Sequence, residues 1–182
     1  MRASFANIRA VRVDGTVIPS ELPSSDRLER SVSGVLDDTA LCAWATVSSD
    51  DRAHINTGYF ARSEDLKLCL LSHPSSLHCR NIVTNPSMAV AVYASAQHWT
   101  APGRGLQLFG TCKQIAGDEA RQAERTYMNR FPAYADWKAG LKPGDPALDY
   151  RFYQFVPVRV KVLDEGEFGD AVWVQADIVR DR

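Results

Sequence analysis

Between Leu70 and Pro86 the chain reads LLSHPSSLHCRNIVTNP, which crowds Ser72, His73, Ser75, Ser76, His78 and Arg80 into one short stretch. Hydroxyls and imidazoles are directional hydrogen-bond donors, and arginine adds permanent charge. If a helix begins near Ser76, its first free N–H groups and the positive end of its dipole add to a site suited to an anion, phosphate above all. The same serines also suit plain helix capping, since serine is a favoured N-cap whatever the function. Residue types and spacing fit both readings. No GxSxG elbow, HExxH or Walker loop occurs, and APGRGLQ and VSGVLDD lack the strand-to-helix setting of a dinucleotide fingerprint. No side chain is assigned a catalytic role, and no metal cluster is expected.

The elements that must position these residues follow from periodicity. The apolar run before Ser72 reads as a strand, and Ser75 to Asn85 as a short helix stopped by Pro86. Upstream, Ser25 is placed as N-cap of a helix whose Leu28, Val32, Val35 and Leu36 recur at helical spacing. LCAWATVSSDDRAHINTGYFA reads as a hairpin and SEDLKLCLLS as a third strand. MAVAVYAS is a fourth strand, expected to be buried on both faces. LQLFGTCKQI is a fifth, with Gly110 marking a bulge or a close backbone approach. A strong helix starts at Asp118 and ends before Pro132; YRFYQFVPVRVKVLD and GDAVWVQADI are the last two strands. Residues 1–25 read as an irregular arm with a short hairpin at Asp14-Gly15. Without regular alternation of strand and helix, the pattern favours a mainly β, antiparallel barrel with flanking helices over a parallel sheet.

Composition sets the bounds. A chain of 182 residues, 45% hydrophobic and 24% charged, is ordinary for one globular domain. A formal charge of -1 offers no global field for nucleic acid or an anionic membrane, so neither is an expected partner. No apolar run approaches the roughly 20 residues that cross a bilayer. With no secretory h-region visible, the expected compartment is the cytoplasm. Cys42, Cys69, Cys79 and Cys112 stand singly, as buried reduced thiols would.

Taken in order, the first helix, LCAWATVSSDD, INTGYFA, LKLCLLS, SSLHCRNIVTNPSMAVAVY, GLQLFGTCKQI and FYQFVPVRVKVLD resemble the FMN-binding split-barrel superfamily, which includes pyridoxamine 5'-phosphate oxidase. The resemblance spans residues 26–164. It implies an antiparallel split β-barrel with an N-terminal arm at 1–25 and a flavin-binding domain at 26–182. It implies FMN as cofactor, held between the subunits of a homodimer, and an oxidoreductase that exchanges a hydride or electrons with a small molecule. Relatives with deazaflavin or haem, or a non-catalytic flavin- or ligand-binding dimer, are the alternatives.

Site residues follow from the same resemblance. Ser72 stands where the family's strand ends on the FMN phosphate, and Ser75 and Ser76 lie at the turn that continues to it. His78 falls where the oxidase has lysine and Leu77 where it has arginine, so Arg80 is the remaining permanent cation. Asn56, Thr57, Gly58 and Tyr59 occupy the strand along the isoalloxazine and ribityl chain, with Gly58 allowing close approach of the ring. Gln107 suits a flavin hydrogen bond, and Trp99 and Trp173 suit pocket walls, Trp173 from the partner subunit. His98 is either a proton donor or a solvated loop histidine. The chain's last strand lacks the histidine of the oxidase's carboxyl-terminal motif, so vitamin B6 oxidation is not the expected reaction.

Overall fold

Which side of each strand turns inward is decided by alternation of apolar residues. In the computed structural model, which describes residues 3–19 and 23–180, this alternation builds eight antiparallel strands. They are β1 (Ala3–Arg12), β2 (Leu41–Val47), β3 (Ala53–Arg62), β4 (Leu68–Ser72), β5 (Ser87–Tyr93), β6 (Arg104–Gln114), β7 (Arg151–Asp164) and β8 (Val172–Arg180). The helices are α1 (Ser25–Asp38), α2 (Leu77–Thr84), α3 (Gly117–Arg130), α4 (Ala133–Ala139) and α5 (Glu165–Phe168), with a 3-10 turn at Pro146–Asp149.

The strand order is β1-β8-β7-β4-β3-β2-β5-β6, and β6 also pairs with β7. That extra pairing closes six strands, β7-β4-β3-β2-β5-β6, into a barrel and removes their free edges. The split lies along β7. Its first half, Arg151 to Phe155, pairs with β4, and its second half, Arg159 to Leu163, pairs with β8 on the same edge. Pro157, which has no N–H to offer a ladder, stands where the partner changes. On the opposite edge β6 follows β7 throughout, with a register shift between Phe109 and Gly110. A Cβ at Gly110 would lie 2.1 Å from the Val156 carbonyl oxygen, so the close approach expected there is present and requires glycine.

Met88, Val90 and Val92 of β5 point inward with Cys42 and Trp44 of β2 and Leu106 and Leu108 of β6. The expectation that β5 is buried on both faces is corrected: Ala89 and Ala91 are half-buried on the outer side, because that side faces no second layer in this chain. Leu28, Val32, Val35 and Leu36 of α1 enter the same core as the fully buried Phe60 and Phe155. A side chain of that kind contributes roughly 1.5 to 3 kcal/mol. The cap of α1 is Ser24, one residue before the serine expected, and its hydroxyl accepts from the Arg27 N–H. On the barrel's outside α3 and α4 pack Tyr127 and Tyr134 against Ala61, Cys69 and Phe152.

The irregular arm is also corrected. Residues Ala3 to Arg12 form β1, which pairs with β8 and extends the sheet beyond the barrel. A bulge between Ala6 and Arg9, with Asn7 at φ 52°, breaks the alternation that would have revealed the strand. The hairpin at Asp14-Gly15 is present, with Gly15 at φ 86° and a Val11–Val17 bridge. Ser20 to Leu22 of the expected arm lie outside the described residues. Among the described residues no helix is long and apolar enough to cross a membrane.

Candidate functional site

β4 ends on Ser72, the chain turns through His73 to Ser76, and α2 begins at Leu77 with Ser76 as its N-cap. The Ser76 hydroxyl makes no capping bond to the helix. It lies instead 3.0 Å from His78 Nε2, and Ser72 Oγ lies 2.7 Å from the same nitrogen. The two hydroxyl oxygens are 3.4 Å apart. Three of the residues singled out by sequence thus meet at one imidazole, while the first turn of α2 is left without a side-chain cap.

His78 is only 8% exposed. Trp44 meets it edge-on at 5.6 Å, and the His54 ring lies parallel to it, 7° off plane with centroids 6.3 Å apart. Beneath it the Asn81 amide donates to Thr46 Oγ1 at 3.0 Å. Burial, then the neighbouring His54 charge, pushes the His78 pKa below its ordinary value. The imidazole is therefore neutral at neutral pH in the ligand-free chain, where it accepts from a serine hydroxyl or donates to one according to its tautomer.

Ser75 and Arg80 sit on the outer side of the same turn. Ser75 Oγ lies 2.7 Å from His73 Nδ1, and the Arg80 guanidinium donates to the Ser75 carbonyl. Along β3, residues opposite Thr46, Trp44 and Cys42 share their inward face, which places His54, Asn56 and Gly58 together. Gly58 lies against Trp44 on this face. A Cβ on it would lie 2.7 Å from Trp44 Cη2, so the indole already fills the approach to this glycine from that side. The Trp44 indole N–H is buried there without a partner. His54 was missed by motif reading, although its two-residue offset from Asn56 is the signal for a shared face.

Thr57 and Tyr59 point to the barrel's outer side. Tyr59, 56% exposed, meets Phe131 edge-on at 5.4 Å. Register runs Thr57, Ala43, Ala91 and Gln107 into one outer row, and Ile55, Ala45, Ala89 and Phe109 into the next. Ile55 is 69% exposed within this largely uncharged face.

Gln107, Trp99 and Trp173 gather elsewhere. They border a cleft of about 800 Å³ with Tyr93, His98 and Arg104. Trp99 is 101% exposed, whereas Trp173 carries the Lys161 ammonium 4.3 Å above its ring. The Arg104 guanidinium is held by Asp38 at 2.8 Å and Asp164 at 3.2 Å. Met88, level with His54 across Thr46, is separated from Tyr93 by roughly 17 Å of strand at about 3.4 Å per residue. The expected site residues thus fall into two main groups, one at the β4–α2 turn and one at this cleft, with Thr57 on the outer row that leads to Gln107.

All four cysteines are unbridged and buried. Burial pushes the thiols of Cys42 and Cys112 up to about 12 and that of Cys69 to about 11, so these three stay protonated. Arg130 donates to the carbonyls of Leu36 and Thr39 and stacks on Phe60, a structural part.

A family model described as pyridoxamine 5'-phosphate oxidase matches residues 28–164. The chain belongs to this family. Comparison with curated proteins finds no match. Among solved structures, a haem-binding protein from Mycobacterium smegmatis superposes with a TM-score of 0.62 at 18% identity, over 86% of this chain and 58% of that one. HutZ, the haem storage protein from Vibrio cholerae, gives 0.59 at 17% identity over 72% and 90%. An F420 reductase gives 0.51 at 22% over 70% and 94%. At these identities the likeness is one of fold.

Within this pyridoxamine 5'-phosphate oxidase family chain the β4–α2 turn gathers a compact donor set. Two hydroxyls, an imidazole and an uncapped helix start fit a phosphate group. What distinguishes it is the charge, which at this imidazole depends on a proton.

Proposed function

We propose that the protein is a cytoplasmic FMN-binding homodimer that acts as an oxidoreductase on a small molecule. The observation that carries this reading is the convergence of Ser72, Ser76 and His78 on one point beside the uncapped start of α2. There the hydroxyls would donate to phosphate oxygens, and His78 would hold a proton at Nε2 between them. FMN supplies the exchange of a hydride or electron pair when bound. The chain's own residues need only bind, orient and shield: Asn56 and Thr57 along β3 and Gln107 on β6 offer polar contacts, while Trp99 and Trp173 offer planar walls.

The dimer is supported by the outer face. Rows of small and apolar residues from β2, β3, β5 and β6 lie uncovered, Ile55 and Leu41 among them. Exposed apolar area of this kind marks an interface. A C2 partner would meet this face with the same face of its own, since such an interface is self-complementary. Four unbridged cysteines suit a reducing compartment.

A second reading keeps the fold and takes deazaflavin or haem instead. Its support is the neutral His78, which gives the cradle no fixed charge beside the two serines. Absorbance of the purified protein separates the readings: bands of oxidised flavin support the first and a Soret band the second. A colourless protein that ignores added FMN overturns the first.

A further inference from the structure

A phosphomonoester brings close to two negative charges at neutral pH. The first turn of α2 meets it with Leu77 and a buried imidazole, and the Arg80 guanidinium is engaged with the Ser75 carbonyl. β3 supplies another group. His54 lies opposite Thr46, whose hydroxyl accepts from Asn81 of α2, and this bond holds α2 against the strands at the level where the two rings stack. His54 is half-buried. It reaches a cleft of about 510 Å³ between the β2–β3 turn and α2, which Arg52 and Arg80 also line. The carboxylate on that cleft, Asp50, is paired with Arg52 at 3.1 Å.

We infer that His54 is a phosphate-binding residue, and that it grips a phosphomonoester dianion together with the His78 ring stacked on it. This rests on the reading of the β4–α2 turn as a phosphate cradle. Elements packed around His78 present it with Trp44 and Thr46 from β2, His54 from β3 and Ser72 from β4; its own turn adds Ser76 and Arg80. None of these is a carboxylate. In the ligand-free chain, two like charges on stacked rings repel, and burial opposes the inner one. A dianion beside His78 opposes both effects on that ring.

Protonation also changes what the serines can do. While Nε2 of His78 is bare, it accepts a hydroxyl hydrogen from Ser72 or Ser76. Once protonated it donates to those oxygens and frees their hydrogens to point at phosphate. The proton thus adds charge and turns the hydroxyls outward together.

The test is calorimetric titration with FMN between about pH 5.5 and 8.5, in phosphate-free buffers of differing ionisation enthalpy, with riboflavin as the control that lacks phosphate. Above pH 7 the FMN phosphate has lost its second proton, with a pKa near 6, so a falling affinity there belongs to the protein. FMN binding should take up protons and weaken by about tenfold per pH unit for each proton taken up. Riboflavin binding should show neither. His54→Gln, at a half-buried position, should reduce the uptake and flatten the slope; His54→Arg should keep FMN bound with a weaker pH dependence. An unchanged slope and uptake in His54→Gln overturns the inference and leaves the cradle standing. FMN that binds no tighter than riboflavin at any pH overturns the cradle reading, and the inference with it.

Discussion

The two ends of the barrel solve different problems. At one end Ser72, Ser76 and His78 close on one another within 3.4 Å, and His78 is buried under Trp44 and His54. At the other, Trp99 and Trp173 stand around an open cleft of about 800 Å³, with Trp99 wholly in solvent. The cradle is made by one strand, one turn and one helix that follow each other in sequence. The cleft draws on β5, β6, β7 and β8, and on the exposed loop that carries Trp99. A local device therefore sits opposite an open one, with the uncovered sheet face between them; the proposed dimer makes that face the seam.

The most damaging break is at that face. Ile55→Arg puts an unpaired charge into the middle of the apolar rows. The expected outcome is dissociation into monomers, with the dimer weakened at least about a hundredfold, roughly 2.7 kcal/mol. Light scattering after gel filtration reads it directly. FMN affinity should fall in parallel, and an intact dimer would remove this face from the interface.

Gly110→Ala strains the barrel seam between β6 and β7, level with Met88. The new Cβ meets backbone, the Val156 carbonyl, so neither neighbour can turn aside. A loss of about 2 to 4 kcal/mol is expected, read as a lower midpoint in urea. Ser76→Ala combined with His78→Ala tests the cradle. It should cost about 1.5 to 3 kcal/mol of FMN affinity while riboflavin binding is spared. Equal losses for both ligands would place the effect on folding instead.

Arg104→Ala should do least to stability, under about 1 kcal/mol, because its pairs with Asp38 and Asp164 are partly solvated. The pH dependence of the ligand-free protein gives a final contrast. The His78 pKa is depressed in the folded state, so the unfolded chain binds more protons once the pH drops below the ordinary histidine value near 6.5. Stability is fully present above that value and declines as the pH falls towards the folded pKa. His78→Gln should shallow this decline in thermal melts, whereas no cleft substitution should alter it.

Much of the fold was legible because its signals are local. Period-two alternation marked β2 and β3, a continuous apolar run marked β5, helical spacing marked α1, and Pro86 and Pro132 marked where helices stop. β1 escaped because the bulge at Asn7 shifts its faces midway. The cradle was legible as a run of serines and histidines, but whether they capped or converged was not. What lies against Gly58 was not legible, because it comes from β2, a neighbour that only strand register reveals.

The amino-acid sequence by itself determined the order and type of the elements and the placement of hydroxyls and imidazoles at one strand-to-helix turn. Each of these depends on spacing within a few residues. Only the tertiary structure decided that Ser76 turns to His78 instead of capping α2, that Trp44 occupies the space over Gly58, and that His54 stacks on His78. Those choices depend on registers between strands distant in the chain and on where α2 docks, and no local pattern encodes them.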